Sequence, residues 1–416
     1  MTEAPGGLSR RGLLGLAIGA GAAGLAVGGG VGFGVARSGS AGADADGEQF
    51  AFFGDHQAGI TTRVQEHLHF AAYDLTDDAT RDDLIELLQD WSYAASRMVQ
   101  GLDVSATGAT GGSEQAPPDD TGEAVGLGAE GLTVTFGFGP SLFEKDDVDR
   151  FGIAAQRPSE LETLPAFLGD DLDPNASNGD LCIQACADDP QVAFHAIRNL
   201  TRIAFGRAHM RWSQLGFGRT SKTTADQQTP RNLFGFKDGT SNILADDADA
   251  LTEHVWVSND DDPAWMAGGS YLAVRKIAMT IEVWDRLRLA EQNRTIGRDK
   301  AEGAPLSGGD EFTEPKFSGS EIDQAAHVRL AHPDVNNGIR MLRRGYNYVD
   351  GDNVLGRLDA GLFFLAFVRS PSQFITVQKS LSTDLMLEYI QHVGSALFAI
   401  PPGAASGSYV GADLFT

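Results

Sequence analysis

Cysteine is almost absent from this 416-residue sequence: there are two, Cys182 and Cys186. Both fall in Leu181-Cys-Ile-Gln-Ala-Cys-Ala187, which reads as a strand. Four residues along a strand rise roughly 13 Å, and a disulfide needs Cα atoms within about 7 Å. No bridge is expected between them, and two buried free thiols are. Basic residues are also scarce, 32 against 57 acidic ones, for a formal net charge of -25. No basic stripe is available to neutralise phosphates, which argues against a nucleic-acid partner, and the net charge repels anionic membrane surfaces. Disorder is not expected, because 42% hydrophobic residues allow proper cores. The length suits two ordinary domains after a leader.

What is present begins with Ser9-Arg10-Arg11-Gly12-Leu13-Leu14. From Gly12 to Ala36 no charge occurs, and the stretch is rich in glycine and alanine. Arg37 follows, then Ala41-Gly42-Ala43. A charged start, an apolar stretch and a small-residue cleavage site make a signal peptide. The paired arginines point to the twin-arginine route. The competing reading is an uncleaved anchor, since the stretch is long enough to span a bilayer; its glycine content weakens that. We read residues 1–43 as a twin-arginine signal peptide and 44–56 as a linker. That route carries folded proteins, and a cofactor inserted in the cytoplasm is the commonest reason to fold first. A chain without disulfides agrees with folding there.

The order of elements is legible from periodicity. Residues 63–75 read as a strand, and Thr80 with Asp83 as a capping box opening a helix with Leu84, Leu87, Leu88, Trp91, Ala95 and Met98 on one side. Residues 104–122 form an exposed loop rich in Gly, Ala, Ser and Pro. Strands at 132–138 and 182–187 follow, then a helix opened by Asp189-Pro190 and running to about residue 205. A strand over 209–215 closes the set. Strand, helix, strand, strand, helix, strand suits a ferredoxin-like unit. The second half repeats the rhythm loosely: a strand at 270–280, a helix at 281–295, an apolar strand at 361–368, a helix at 374–393 and a last strand at 396–400. Two long irregular stretches, near 225–265 and 300–350, are expected to be functional. The fold class is therefore α+β, with two ferredoxin-like domains over 57–225 and 226–416.

Three constellations could carry chemistry. Gly235-Phe-Lys-Asp238-Gly239 holds an acid between glycines that let backbone approach a ligand; on spacing alone it is more often a plain turn. His327-Val-Arg-Leu-Ala-His332-Pro333 offers two imidazoles that compete as an iron ligand. Arg343-Arg344-Gly345 lies among apolar residues, which calls either for a bound anion or for a buried ion pair. Other histidines are weaker cases. His67 and His69 share one face of a strand, where a structural role outweighs a metal site without a third ligand. The run Asn259-Asp260-Asp261-Asp262 reads as a solvated loop before it reads as a calcium site.

The GxxDG around Asp238, the later His327 in HxR spacing and the RRG at Arg343 resemble dye-decolorizing peroxidases. So do Gly54-Asp-His-Gln-Ala-Gly-Ile60, Leu132-Thr-Val-Thr-Phe-Gly-Phe-Gly139, Gly179-Asp-Leu-Cys-Ile-Gln-Ala-Cys-Ala-Asp188, Gly269-Ser-Tyr-Leu-Ala-Val-Arg275 and Thr295-Ile-Gly-Arg298. The resemblance runs from about residue 50 to the end and is nearest to the exported branch tied to ferrous-iron uptake. It implies two ferredoxin-like units with one haem b per chain in the second. It places the distal acid on Asp238, the distal arginine on Arg343 and the iron ligand on His327. Gly239, Thr240 and Ser241 match the segment against the haem, and His332, Pro333 and Asp334 a haem-side loop. Arg298 matches a basic residue near the haem edge, and Phe364 a lid on the apolar strand. Tyr346, Tyr348 and Trp284 are candidate surface relays for electrons from bulky donors, with packing the commoner role of such side chains.

Three functions follow as expectations. The first is a peroxidase that uses hydrogen peroxide to oxidise dyes, phenolics or similar organic donors. The second is release of iron from haem as a substrate, in an iron-uptake system with a permease. The third is a non-catalytic haem carrier, against which Asp238 and Arg343 argue, because binding alone needs neither. The twin-arginine translocase is an implied partner, the destination is periplasmic or extracellular, and a homo-oligomer is compatible with the sequence.

Overall fold

The periodicities of the first half translate into elements with small shifts at their ends. β1 (His67–Leu75) starts four residues later than read. α1 (Arg81–Met98) opens on the expected capping box, the Thr80 hydroxyl taking the Asp83 amide and the Asp83 carboxylate taking the Thr80 amide. β2 (Thr133–Phe138), β3 (Leu181–Ala187), α2 (Pro190–Ile203) and β4 (Ala208–Arg219) complete the set, with Asp189 capping α2. The computed structural model describes residues 47–261 and 263–416. The signal-peptide reading of 1–43, the start of the linker and Asp262 lie outside the described residues. Part of the expected linker is not free: Phe52 is buried in the core, and Phe53 bridges Ala404.

The second half departs more from its reading. β5 (Ser270–Met279) is as expected. The single helix read over 281–295 is instead a turn at Ile281–Trp284 followed by α3 (Leu289–Ile296). At the break the Trp284 carbonyl is satisfied by the Leu287 amide and by the Gln292 side chain (both 3.0 Å). β6 (Leu342–Arg343) and β7 (Tyr346–Asp352) emerge from a stretch read as irregular, and β8 (Leu358–Val368) begins three residues early. The helix read over 374–393 is also corrected. α4 (Pro371–Ser380) ends early, and β9 (Ile390–Ile400) begins six residues before the expected last strand. There Ile390 to Gly394 pair with Met279 to Lys276 of β5, so strand pairing overrides a helical period.

The strand order explains where the site can be. In the first half it is β4-β1-β3-β2 and in the second β9-β5-β8-β7, the same antiparallel arrangement twice. These are two ferredoxin-like sheets. Short pairings, Phe138 with Ala399 and Phe217 with Asn347, join them into a ring. One core fills the inside of that ring, with Phe70, Phe363, Phe398, Tyr346, Tyr348 and both cysteines. The cysteines are buried and unbridged. A second core lies between the sheets and the helices, and a third, smaller one gathers Phe234, Phe236, Trp284 and Tyr389. Strand alternation sends Leu342 inward and Arg343 outward. Phe364 and Arg275 are cross-strand neighbours on that outer side.

Candidate active site

A tight hairpin presents Asp238. The Asp238 amide donates to the Pro230 carbonyl (2.9 Å), Asn232 to Phe236 (3.0 Å), and Gly235 turns the chain at φ +82. Gly239 is also left-handed, and a Cβ there would stand 2.7 Å from the Ser221 Cα. Glycine is therefore required at that place on two counts. The Asp238 carboxylate takes Arg343 Nη1 on Oδ1 (3.0 Å) and Asn232 Nδ2 on Oδ2 (3.2 Å). Arg343 is itself held by Asn242, whose Oδ1 takes its amide (2.8 Å) and whose Nδ2 gives to its carbonyl (2.9 Å). Asn242 was not singled out from the sequence, although it closes the motif that carries Asp238.

The arginine pair divides as strand geometry dictates. Arg343 forms the ion pair with Asp238. Arg344 points the other way, fully buried, and among the described residues pairs with no carboxylate. It donates to the carbonyls of Ile60, Thr62 and Arg63 and to Gln65 Oε1. It thereby fastens the chain before β1 to the second sheet.

His327 opens a single helical turn, His327–Leu330. Its Nδ1 pairs with Asp384 Oδ2 at 2.6 Å. Asp384 is nearly buried and rigid, because its other oxygen caps the next turn through the Met386 amide (2.8 Å). Asp384 was missed in the sequence because it lies inside the stretch read as one helix. The cluster Ser382-Thr383-Asp384, a cap signal, could have revealed it. Burial works to lower the His327 pKa, and Asp384 outweighs it, so the imidazole stands above its ordinary value. Asp238 and Arg343 also act on it electrostatically. The His327 side chain keeps 32% of its surface accessible.

His332 is differently placed. Its Nδ1 accepts from the Asp334 amide (3.2 Å), its Nε2 meets Glu314 (3.2 Å), and its ring packs edge-on against Phe317. Both nitrogens are engaged, whereas Nε2 of His327 has no hydrogen-bond partner among the described residues. Pro333 starts the short turn after His332, and Asp334 and Ser241 are exposed. Thr240 gives its hydroxyl to Glu311 (3.2 Å). Arg298 is buried and gives Nη1 to the carbonyls of Gly303 and Glu311 (both 2.8 Å). Phe364 is partly buried, with its ring 6.2 Å from that of Phe374. The proposed surface relays are corrected: Tyr346, Tyr348 and Trp284 are all fully buried. Trp284 stacks on Phe234 at 4.2 Å, and the two tyrosines fill the ring.

The residues fit a haem. A histidine offers Nε2 while a carboxylate fixes its Nδ1, which is the arrangement of an oriented iron ligand. A carboxylate and a guanidinium act electrostatically on that histidine. A separate cleft of about 440 Å³, lined by Glu160, Glu253, Asp261 and Arg369 among others, contains none of these groups. Its arginine is already neutralised by Asp261, so the chemistry is read from the converging side chains. Among the described residues no cluster of three or more His, Cys, Asp or Glu could hold a free metal ion, at His67 and His69 or elsewhere.

Comparison with known proteins agrees with this geometry. The family model for the N-terminal part of Dyp-type peroxidases matches residues 57–218, and that for the C-terminal part residues 229–405. A deferrochelatase of Escherichia coli O6:K15:H31 is 36% identical over 389 residues, covering 90% of this chain and 89% of that one. A deferrochelatase of Yersinia pseudotuberculosis is 36% identical over 86% of this chain and 82% of its own length. Among solved structures, an oxyferrous complex of DtpA from Streptomyces lividans is 41% identical with a TM-score of 0.81, over 89% of this chain and 99% of that one. The Dyp-type peroxidase of Cellulomonas bogoriensis is 35% identical with a TM-score of 0.79, over 89% and 99%. The chain therefore belongs to the Dyp-type peroxidase family, and it is a haem-dependent peroxidase.

Proposed function

We propose that His327 holds the haem iron through Nε2, and that Asp238 and Arg343 do the proton and charge work on hydrogen peroxide. The observation that carries this reading is that the Asp384-fixed imidazole stands near enough to the Asp238–Arg343 pair to feel both charges. Bound haem supplies the redox centre at which peroxide is reduced and organic donors are oxidised. The chain's own residues set the rest. Asp384 keeps a proton on His327 Nδ1, which leaves the Nε2 lone pair for a ligand bond. Each Asp238 oxygen has one partner and keeps further lone-pair capacity. Asp238 can therefore take a proton from one peroxide oxygen and return it to the other as water leaves. A guanidinium carries a lasting positive charge, and that of Arg343 stabilises the charge developing as the O–O bond breaks. Replacing Asp238 with Asn should slow reaction with peroxide about a hundredfold and flatten its pH dependence. An unchanged rate and pH profile in stopped flow would remove Asp238 from proton transfer.

We also propose that the chain releases iron from haem as a substrate. The curated relatives named deferrochelatase support this, matching at 36% identity over most of the chain. Iron would leave as two protons take its place on an intact porphyrin. Metal-free porphyrin fluorescence and chelatable iron should then appear in equal amounts during incubation with haem. Peroxide turnover without either would confine the chain to peroxidase chemistry. The Arg10-Arg11 leader supports twin-arginine export to the periplasm or beyond, beside an iron-uptake permease.

A further inference from the structure

The hairpin that carries Asp238 is held down by a second segment, residues 298–311. Arg231 reaches across from the hairpin to the carbonyls of Lys300 and Ala301 (both 2.7 Å) as well as to its own Gly235 (2.7 Å). Arg298 reaches back within the segment to Gly303 and Glu311 carbonyls. The Lys237 stem packs on Gly303, where a Cβ would stand 2.9 Å from Lys237 Cδ. These bonds end on backbone carbonyls, which any residue supplies. Two side chains of the segment reach the hairpin: Lys300 Nζ lies 5.5 Å from the centre of the Phe236 ring, and the Glu311 carboxylate takes Lys237 Nζ (2.5 Å) on one oxygen and the Thr240 hydroxyl (3.2 Å) on the other.

Lys237 and Thr240 are the residues immediately before and after Asp238-Gly239. Glu311 therefore grips both shoulders of the turn that aims Asp238 at Arg343. Glu311 is 9% exposed, so a carboxylate there is costly unless paired. Burial pushes it up, but the Lys237 ammonium and the Thr240 hydroxyl beside it help to outweigh that and hold it below the usual range. It stays charged, and the grip persists, through the neutral and mildly acid range.

We propose that Glu311 is a positioning residue for the peroxide reaction: through Lys237 and Thr240 it sets where the Asp238 carboxylate stands against Arg343. The inference rests on Asp238 being the group that handles the peroxide proton. An ordinary stabilising ion pair is the rival, and the two differ in what they change.

The test uses the full chain loaded with haem, in four variants: Glu311→Gln, Lys237→Met, the double variant and Asp238→Asn. Haem content, melting midpoint, the rate constant with hydrogen peroxide and amide exchange over residues 235–242 are measured on each. Glu311→Gln and Lys237→Met should each lower the peroxide rate constant about tenfold, the scale of a small misplacement of a reacting group. Haem content should be unchanged, and amide exchange over the turn should rise. The double variant should be no slower than the slower single one, because both break the same contact. A normal rate in Glu311→Gln, additive losses, or a loss that only follows haem content would overturn the proposal. If Asp238→Asn is slow while Glu311→Gln is normal, Glu311 alone is wrong. If Asp238→Asn is itself normal, the reading of Asp238 fails and this one fails with it.

Discussion

At the scale of single residues, the adjacent arginines show how much a neighbour in sequence can differ in work. Arg343 meets Asp238 in the site, and Arg344 satisfies carbonyls on the far side of the strand. Arg343→Ala should lower peroxidase turnover at least about tenfold with haem still bound; unchanged turnover per haem would exclude it from the mechanism. Arg344→Ala should act on stability, by about 3 kcal/mol for several lost charge-assisted bonds. Denaturant titration should show that loss while turnover per haem in the folded fraction is kept. Asp384→Asn keeps an oxygen for the Met386 amide but loses the charge facing His327. It should lower haem affinity or turnover about tenfold, seen by haem titration; wild-type behaviour would make the contact incidental. Asp238, Arg343 and His327 could be singled out as candidates because each sits in a short motif. Asp384 was not, since its partner is 57 residues away and only folding brings them together.

Secondary-structure elements were legible where one period ran undisturbed, as in α1 with its capping box and in α2 with Asp189 and Pro190. They were misread where tertiary pairing won. The residues after α4 carry a helical pattern, yet Ile390 to Gly394 are claimed by β5. β7 escaped notice because its tyrosines face the inside of a ring that no local pattern announces. Two of the strands carry buried histidines with a consequence for pH. His69 on β1 packs beside Phe194, and His392 on β9 lies near Arg275 and Asp170. Burial lowers both to about 4 from an ordinary 6.5. The unfolded chain therefore binds more protons between these values, and stability is lost as pH falls from 6.5 towards 4. The melting midpoint should drop over that window, and His69→Phe should make the drop shallower. A profile unchanged by that substitution would mean that His69 does not contribute.

At the scale of the whole molecule, the sequence announced two similar units by the order of their elements. It did not announce that their sheets join into one ring, because the joining pairs, Phe138 with Ala399 and Phe217 with Asn347, are far apart in the chain. All of Asp238, His327, Arg343 and Asp384 belong to the second half, which the first half supports through Arg344. The proposed export is likewise tested on the whole chain. Changing Arg10 and Arg11 to Lys should leave folded, haem-loaded protein in the cytoplasm on fractionation; unaffected export would discard the twin-arginine reading. The central claim is that His327 carries a haem that reacts with peroxide. The most direct measurement is the visible spectrum of haem-supplied protein before and after one equivalent of hydrogen peroxide, for the unaltered chain, His327→Ala and His332→Ala. The account predicts a Soret band that changes with peroxide in the unaltered chain and in His332→Ala, with normal ligation lost in His327→Ala alone. A Soret band indifferent to peroxide, or ligation lost in His332→Ala instead, would contradict it.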